Sequence, residues 1–226
     1  TNIICNIRHW IKDMVDKKYP LDGVTASKKR KAGQLSSDSQ VRGVKCVELY
    51  AGVGTIGLNC LDLLTELNCS DENPHNLACF EAARLSMEPE SVRSRASYRS
   101  EPAGAVAASG GLRGYELILV DPPRKGLDEE VLQAMLHFDP PSAASKKTSE
   151  SKTSGSAEQP VINAERLIYV SCGFPAFKRD AARLTGRTPA KEGEENVRHW
   201  RLSYMEGHVL FPGSDHIETL AIFDRL

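Results

Sequence analysis

Residues 44 to 57, VKCVELYAGVGTIG, join a short, nearly unbroken apolar run to a glycine turn, and the turn opens straight into a helix-spaced stretch, IGLNCLDLL. An apolar run of that length without polar alternation is a strand covered on both faces, the pattern of a parallel sheet. The glycines of the turn, Gly52, Gly54 and Gly57, satisfy Gly-x-Gly-x-x-Gly between strand and helix, where backbone N–H groups can approach an adenosyl or pyrophosphate ligand closely. Alone this spacing is weak, and a turn needed only for tight helix packing would carry the same letters. Asp71 ends the next strand, ELNCSD, roughly 20 residues further on, where a carboxylate can accept both ribose hydroxyls. Nicotinamide dinucleotides and S-adenosylmethionine fit that pair equally well.

The same alternation continues. A helix over NPHNLACFEAARLS, opened by Asn73-Pro74, leads to a loop from Pro89 to Gly114 with a weak strand near ASYRS. YELILVD is a buried strand, followed by the stiff turn PPRKG and a helix over LDEEVLQAMLHF. RLIYVS is the next strand, PAFKRDAARL the next helix, and residues 200 to 226 form two last strands joined by a short loop. Strands alternating with helices predict a Rossmann-like α/β fold: a mostly parallel seven-stranded sheet, helices on both faces, an antiparallel last strand and ligands at the carboxyl ends of the strands.

Residues 1–226 are expected to form one catalytic domain. It begins with a helix within residues 1–20, where Asn2 is the N-cap and Ile3, Ile7, Trp10, Ile11 and Met14 share a face. Residues 21–43, including the basic run Lys28 to Lys31, predict a flexible solvated linker. Residues 139–160 are Ser/Lys/Pro-rich with almost nothing to bury, and predict a disordered insert. The opening TNIICNIRHWI carries neither an initiating Met nor a signal-peptide pattern, which suggests a fragment.

With 29 basic against 30 acidic residues, charge gives no argument for nucleic acid, so any such partner rests on the site. The six cysteines form no Cys-x-x-Cys pair, which predicts reduced thiols, no metal and an intracellular setting whose compartment stays open. No apolar run approaches the roughly 18 residues of a membrane span.

Two later blocks separate the cofactor readings. The fourth strand ends in DPPRKG, a stiff turn able to present Asp121 to a flat base, and RLIYVS runs into Cys172. A nicotinamide oxidoreductase leaves both unexplained. Amino-methylating enzymes carry an aromatic residue after Asp-Pro-Pro, where this chain has Arg124.

Together ELYAGVGTIGLN, LVDPPRKGLD, IYVSCGFPAFKRD and FPGSDHIETLAIF, in that order, resemble the S-adenosylmethionine-dependent uridine-carbon-5 RNA methyltransferases, which make 5-methyluridine in transfer and ribosomal RNA. The resemblance spans residues 44–226 apart from the inserts. It implies that Tyr50 and Thr55 flank the cofactor beside Gly52 and Gly54, that Asp71 takes the ribose, and that Asp121 closes the cofactor and base site. It implies Cys172 as the nucleophile and Glu218 as the proton-abstracting base. Arg124 is expected to hold a phosphate or carbonyl of an RNA whose target uridine is flipped into the pocket. Where many members follow the cysteine with Asn-Pro, this chain has Gly173-Phe174-Pro175.

The chemistry asks for that set. Carbon 5 of uracil is a poor nucleophile until a thiolate adds at carbon 6, and a base must then remove the carbon-5 proton so that the thiolate can leave. If the last strand lies antiparallel beside the fifth, Glu218 starts where Cys172 ends. Two alternatives remain: a non-catalytic cofactor- or RNA-binding module, and an RNA cytosine-carbon-5 methyltransferase, against which stands Pro123 where that family carries a cysteine after the proline.

Overall fold

The computed structural model describes residues 2–20, 42–137, 163–188, 197, 199–210, 212–213 and 217–226. The expected insert at 139–160 and all but the last two residues of the expected linker at 21–43 lie outside them.

Seven strands form one sheet in the order β3-β2-β1-β4-β5-β7-β6. The strands β1 (Val44–Leu49), β2 (Leu64–Ser70), β3 (Ala96–Arg99), β4 (Leu117–Val120) and β5 (Arg166–Ser171) run parallel. The last strand, β7 (Glu218–Arg225), inserts antiparallel between β5 and the edge strand β6 (Trp200–His208). Along β4 the side chains alternate between two cores. Ile118 and Val120 pack on one face with Val106, Val131, Met135 and Phe177, while Leu117 and Leu119 pack on the other with Ile7, Ile11, Leu61 and Phe80. Both faces are covered, which is why the strand's sequence is apolar without alternation.

Helix α1 (Ile3–Lys18) is capped as its sequence predicts, with the Asn2 carboxamide oxygen accepting from the Ile4 N–H at 2.9 Å. It lays Ile7, Ile11, Met14 and Val15 on the second core and sets Trp10 against Tyr204 of β6, ring centroids 5.1 Å apart. Helices α5 (Ala103–Ala108), α6 (Glu129–Leu136) and α7 (Phe174–Leu184) cover the first core.

Three boundaries differ from expectation. Helix α2 is a single turn, Thr55–Leu58, followed by a 3-10 turn over Leu61–Leu63, so IGLNCLDLL is not one helix. Helix α3 (Asn76–Leu85) starts after Asn73-Pro74, because the Asn73 oxygen accepts from the His75 N–H at 3.1 Å and holds those residues in a turn. The stretch expected as loop around β3 contains α4 (Glu90–Arg93) and α5. Both are too short to show a period, and α5 is held by burial of Ala103, Val106 and Ala107 rather than by propensity.

Candidate active site

Tyr50 follows β1, Asp71 follows β2, Asp121 follows β4 and Cys172 follows β5, so four of the expected residues stand at one rim of the sheet, the carboxyl ends of its parallel strands. Glu218 joins them because β7 is reversed. Ser171 pairs with Thr219 across the β5–β7 ladder, and the next step outward brings Cys172 level with Glu218. Val120 pairs with Tyr169, so β5 continues two residues past β4 before it reaches Cys172. Cys172 therefore stands about 7 Å further out along the strand direction than Asp121.

Two cavities open on this rim. The smaller, about 320 Å3, is lined by Tyr50, Asp71, Asn76, Asp121, Pro123 and Asp128 among others. Here Asp71 is tied down: one oxygen accepts from the Gly52 N–H at 3.0 Å, the other from the Asn73 N–H at 2.9 Å and the Asn76 amide at 3.0 Å. Each carboxylate oxygen carries two acceptor sites, so the group keeps capacity toward the cavity. The turn above it divides its labour. A Cβ on Gly54, at φ +78°, would strike the Phe80 ring at 2.6 Å, so that glycine serves packing. Gly52, at φ +55°, would meet nothing within 4 Å. Open space beside a backbone turn and an anchored carboxylate is the cradle an adenosyl group needs. Thr55 is exposed at the start of α2 and is not part of the cavity lining.

The larger cavity, about 900 Å3, is lined by Cys172, Gly173, Phe174, Arg179, Met205 and Thr219, with Arg124 and Lys125 on its wall. Lys125 lines both cavities, which therefore adjoin. Gly173 is demanded by a close approach, since a Cβ there would lie 2.7 Å from the Arg124 carbonyl oxygen. The turn after β4 and the turn after β5 are thus in contact, and a glycine at position 173 is what admits the first turn.

Electrostatics separate the carboxyls. Burial, and then the charge of Glu218, push Asp121 up to about 7, so the two acidic groups sense one another. Burial raises Glu218, while His208, its cross-strand partner on β6, acts to lower it. Within the sheet behind the glycine turn, burial raises Glu48 to about 7. Its carboxyl accepts from the Gly57 N–H and the Cys69 thiol, both at 3.1 Å.

Sequence reasoning missed the residues that hold this rim. The Tyr50 hydroxyl donates to the Asp128 carboxylate at 3.1 Å and accepts from the Asp128 N–H at 3.0 Å, joining the glycine turn to the start of α6. Asp180 sits buried on the apolar stripe Phe177, Ala181, Leu184 of α7, and an acidic residue on such a stripe is the signal that would have found it. Glu48 left an equivalent signal, a charged residue in the middle of a buried strand.

No protein-family model matches the chain. An uncharacterised RNA methyltransferase of Protochlamydia amoebophila is 34% identical over 181 residues, covering 80% of this chain and 37% of the relative. A 23S rRNA (uracil(747)-C(5))-methyltransferase of Shewanella baltica is 24% identical over 175 residues, 77% of this chain and 35% of the relative. Among solved structures, the tRNA (uracil-54, C5)-methyltransferase of Pyrococcus abyssi in complex with S-adenosyl-L-homocysteine shares the fold, with a TM-score of 0.54 at 20% identity over 81% of this chain and 35% of that one. The chain spans about a third of the length of the curated relatives it matches.

Proposed function

Over the segment it shares with these relatives the chain belongs to the RNA methyltransferase family, and from that premise we propose that it methylates carbon 5 of a uridine in RNA with S-adenosylmethionine as methyl donor. The observation that supports the reading is the antiparallel pairing of β5 with β7: beyond its Ser171–Thr219 pair, Cys172, which lines the larger cavity, and Glu218, which lines neither cavity, are the next residues at the same end of the ladder.

The smaller cavity suits the cofactor. Asp71 would take the ribose hydroxyls, Gly52 would leave room for the adenosyl group, and Tyr50 and Asp121 would close the sides. When bound, the cofactor supplies a methyl group on a sulfonium. Every other requirement falls to the chain. As its thiolate, Cys172 would add to carbon 6 of the flipped uracil and move electron density onto carbon 5, which would then accept the methyl group with the donor's thioether as leaving group. Glu218, level with it across the ladder, takes the carbon-5 proton, and the thiolate is then expelled. Asp121, raised to about 7, is partly protonated at neutral pH and can donate a hydrogen bond to a carbonyl of the base. Arg124 would neutralise phosphate at the mouth.

The test is transfer of tritium from labelled methyl donor to uridine-containing RNA, with Cys172→Ala and Glu218→Gln beside wild type. The expected result is no transfer with the cysteine variant, and with the glutamate variant a covalent protein–RNA adduct that survives denaturation. Equal labelling in all three would reject the assignment.

A further inference from the structure

We propose that Phe174 is a stacking platform for an unpaired base beside the target nucleotide, so that the larger cavity receives single-stranded RNA with its bases splayed toward α7 and its phosphates along Arg124 and Arg179. The inference rests on the RNA methyltransferase reading and deepens it.

Phe174 is 49% exposed, an unusual state for a large aromatic ring one residue beyond Gly173 in the wall of a cavity. The core does not require it. Phe177, one helical turn on, is 3% exposed and already fills the space beneath the sheet, and the two rings lie 6.0 Å apart at 33°. Phe174 extends the apolar stripe of α7 past the sheet's edge and leaves its remaining surface to the cavity. Met205 of β6, 48% exposed, and Ile217, also 48% exposed, line the same cavity.

Charge on the walls indicates the occupant. Arg124, Lys125 and Arg179 lie on the α7 side. Arg179 is positioned by donating to the Lys125 carbonyl oxygen at 2.9 Å, and among the described residues no hydrogen bond or ion pair holds the Arg124 guanidinium. The carboxylate of Glu206, on β6, also lines the cavity and would repel phosphate, so a phosphate chain would follow the arginines with its bases on the apolar lining. Exposed π-faces interleaved with cations form the usual surface for single-stranded nucleic acid, because every base has a face to stack and every nucleotide a charge to neutralise. At about 900 Å3 the cavity sits at the upper end of the range for a single small ligand, leaving room for more than the target base.

The experiment measures fluorescence anisotropy of a short labelled single-stranded uridine-containing RNA with the whole chain, using Phe174→Ala, Phe174→Leu, Phe174→Trp and Arg124→Gln. The alanine variant should bind roughly 5- to 150-fold more weakly, and the leucine variant nearly as weakly, since leucine keeps apolar area and loses the π-face. The tryptophan variant should bind like wild type, with its indole emission quenched by RNA. Arg124→Gln should reduce the salt slope by about 0.7, one single-strand phosphate contact. Wild-type affinity in the leucine variant, no RNA binding by the wild-type chain, or a concentration-dependent dimer that the alanine variant dissolves would each overturn the platform. Because binding needs no turnover, the two readings fail separately. RNA binding that depends on Phe174 in a chain that transfers no methyl group leaves the platform standing, while methyl transfer with wild-type binding by Phe174→Ala removes the platform alone.

Discussion

The Asp180 carboxylate accepts a hydrogen bond from the backbone N–H of Leu127 at 2.9 Å, fastening α7 to the turn that follows Pro122-Pro123. The same oxygen accepts from the Tyr169 hydroxyl of β5 at 2.8 Å, and a Cβ on Gly126 would come within 2.5 Å of it. One buried acid therefore ties together the turn carrying Asp121 and Arg124, the strand leading to Cys172 and the helix bearing Phe174.

Asp180→Ala leaves two buried donors without an acceptor, at about 1–3 kcal/mol each. Urea unfolding should show a loss of roughly 2–5 kcal/mol. Asp180→Asn keeps one carbonyl oxygen and should lose clearly less. Equal midpoints for the two variants would show that Asp180 does not fasten the turn.

The glycines of the turn should separate into two kinds. Gly54→Ala combines a left-handed backbone, about 1–2 kcal/mol, with a methyl group 2.6 Å from the Phe80 ring, and should lower stability by roughly 2–4 kcal/mol. Gly52→Ala meets no neighbour and should cost only the backbone share, yet calorimetry should show at least a several-fold weaker affinity for S-adenosylhomocysteine, because the added methyl occupies the cradle. Unchanged affinity in Gly52→Ala would place the cofactor elsewhere.

Between pH 5 and 8 the chain should become less stable as pH rises. Glu48 and Asp121 are both raised to about 7, so the folded state binds protons that the unfolded state has released, and the stability held below pH 4.5 is lost through pH 7. Asp13, Asp62, Asp224 and Glu206 are lowered and act in the opposite sense, outside this window on the acid side. Thermal midpoints of Glu48→Gln should be flatter across the window than those of wild type. A parallel pair of curves would contradict the assignment.

Single-turnover release of methylated RNA from the covalent adduct should fall on the acid side through a pKa above the ordinary carboxylate range, because Glu218 is raised by burial and must be ionised to take the carbon-5 proton. His208→Gln removes the group that lowers Glu218 and should move that limb to higher pH. A ring nitrogen of His208 lies 3.0 Å from the Glu206 carboxylate, away from the reacting atoms, so its replacement should leave the plateau rate within a few-fold. A limb that does not move would separate the two residues.

Much of the fold was legible because its signals are local. The apolar runs of β1, β4 and β5, the turn after β1 and the Asn2 cap each depend on residues within a few positions of one another, and the structure places them where the letters do. Helices α4 and α5 were not legible, since four and six residues carry too little periodicity to outweigh the serine of one and the glycine of the other. Of the site, Asp71 and Asp121 were readable from their places at strand ends. The supports were not: Tyr50 needs Asp128, Asp180 needs Leu127 and Tyr169, and each pairing spans a separation that no motif encodes.

By itself the sequence determined which segments are strands, that both faces of the sheet are covered, and which thiol and which carboxylates stand beside turns. The tertiary structure decided that β7 enters between β5 and β6, that β5 outruns β4, and that Arg124 touches Gly173, so that residues from five separate strands and turns meet at one rim. The reason is physical. Periodicity and turn chemistry act over a few residues, whereas strand order and register are set by the burial of two cores at once, a property of the packed chain and of no segment within it.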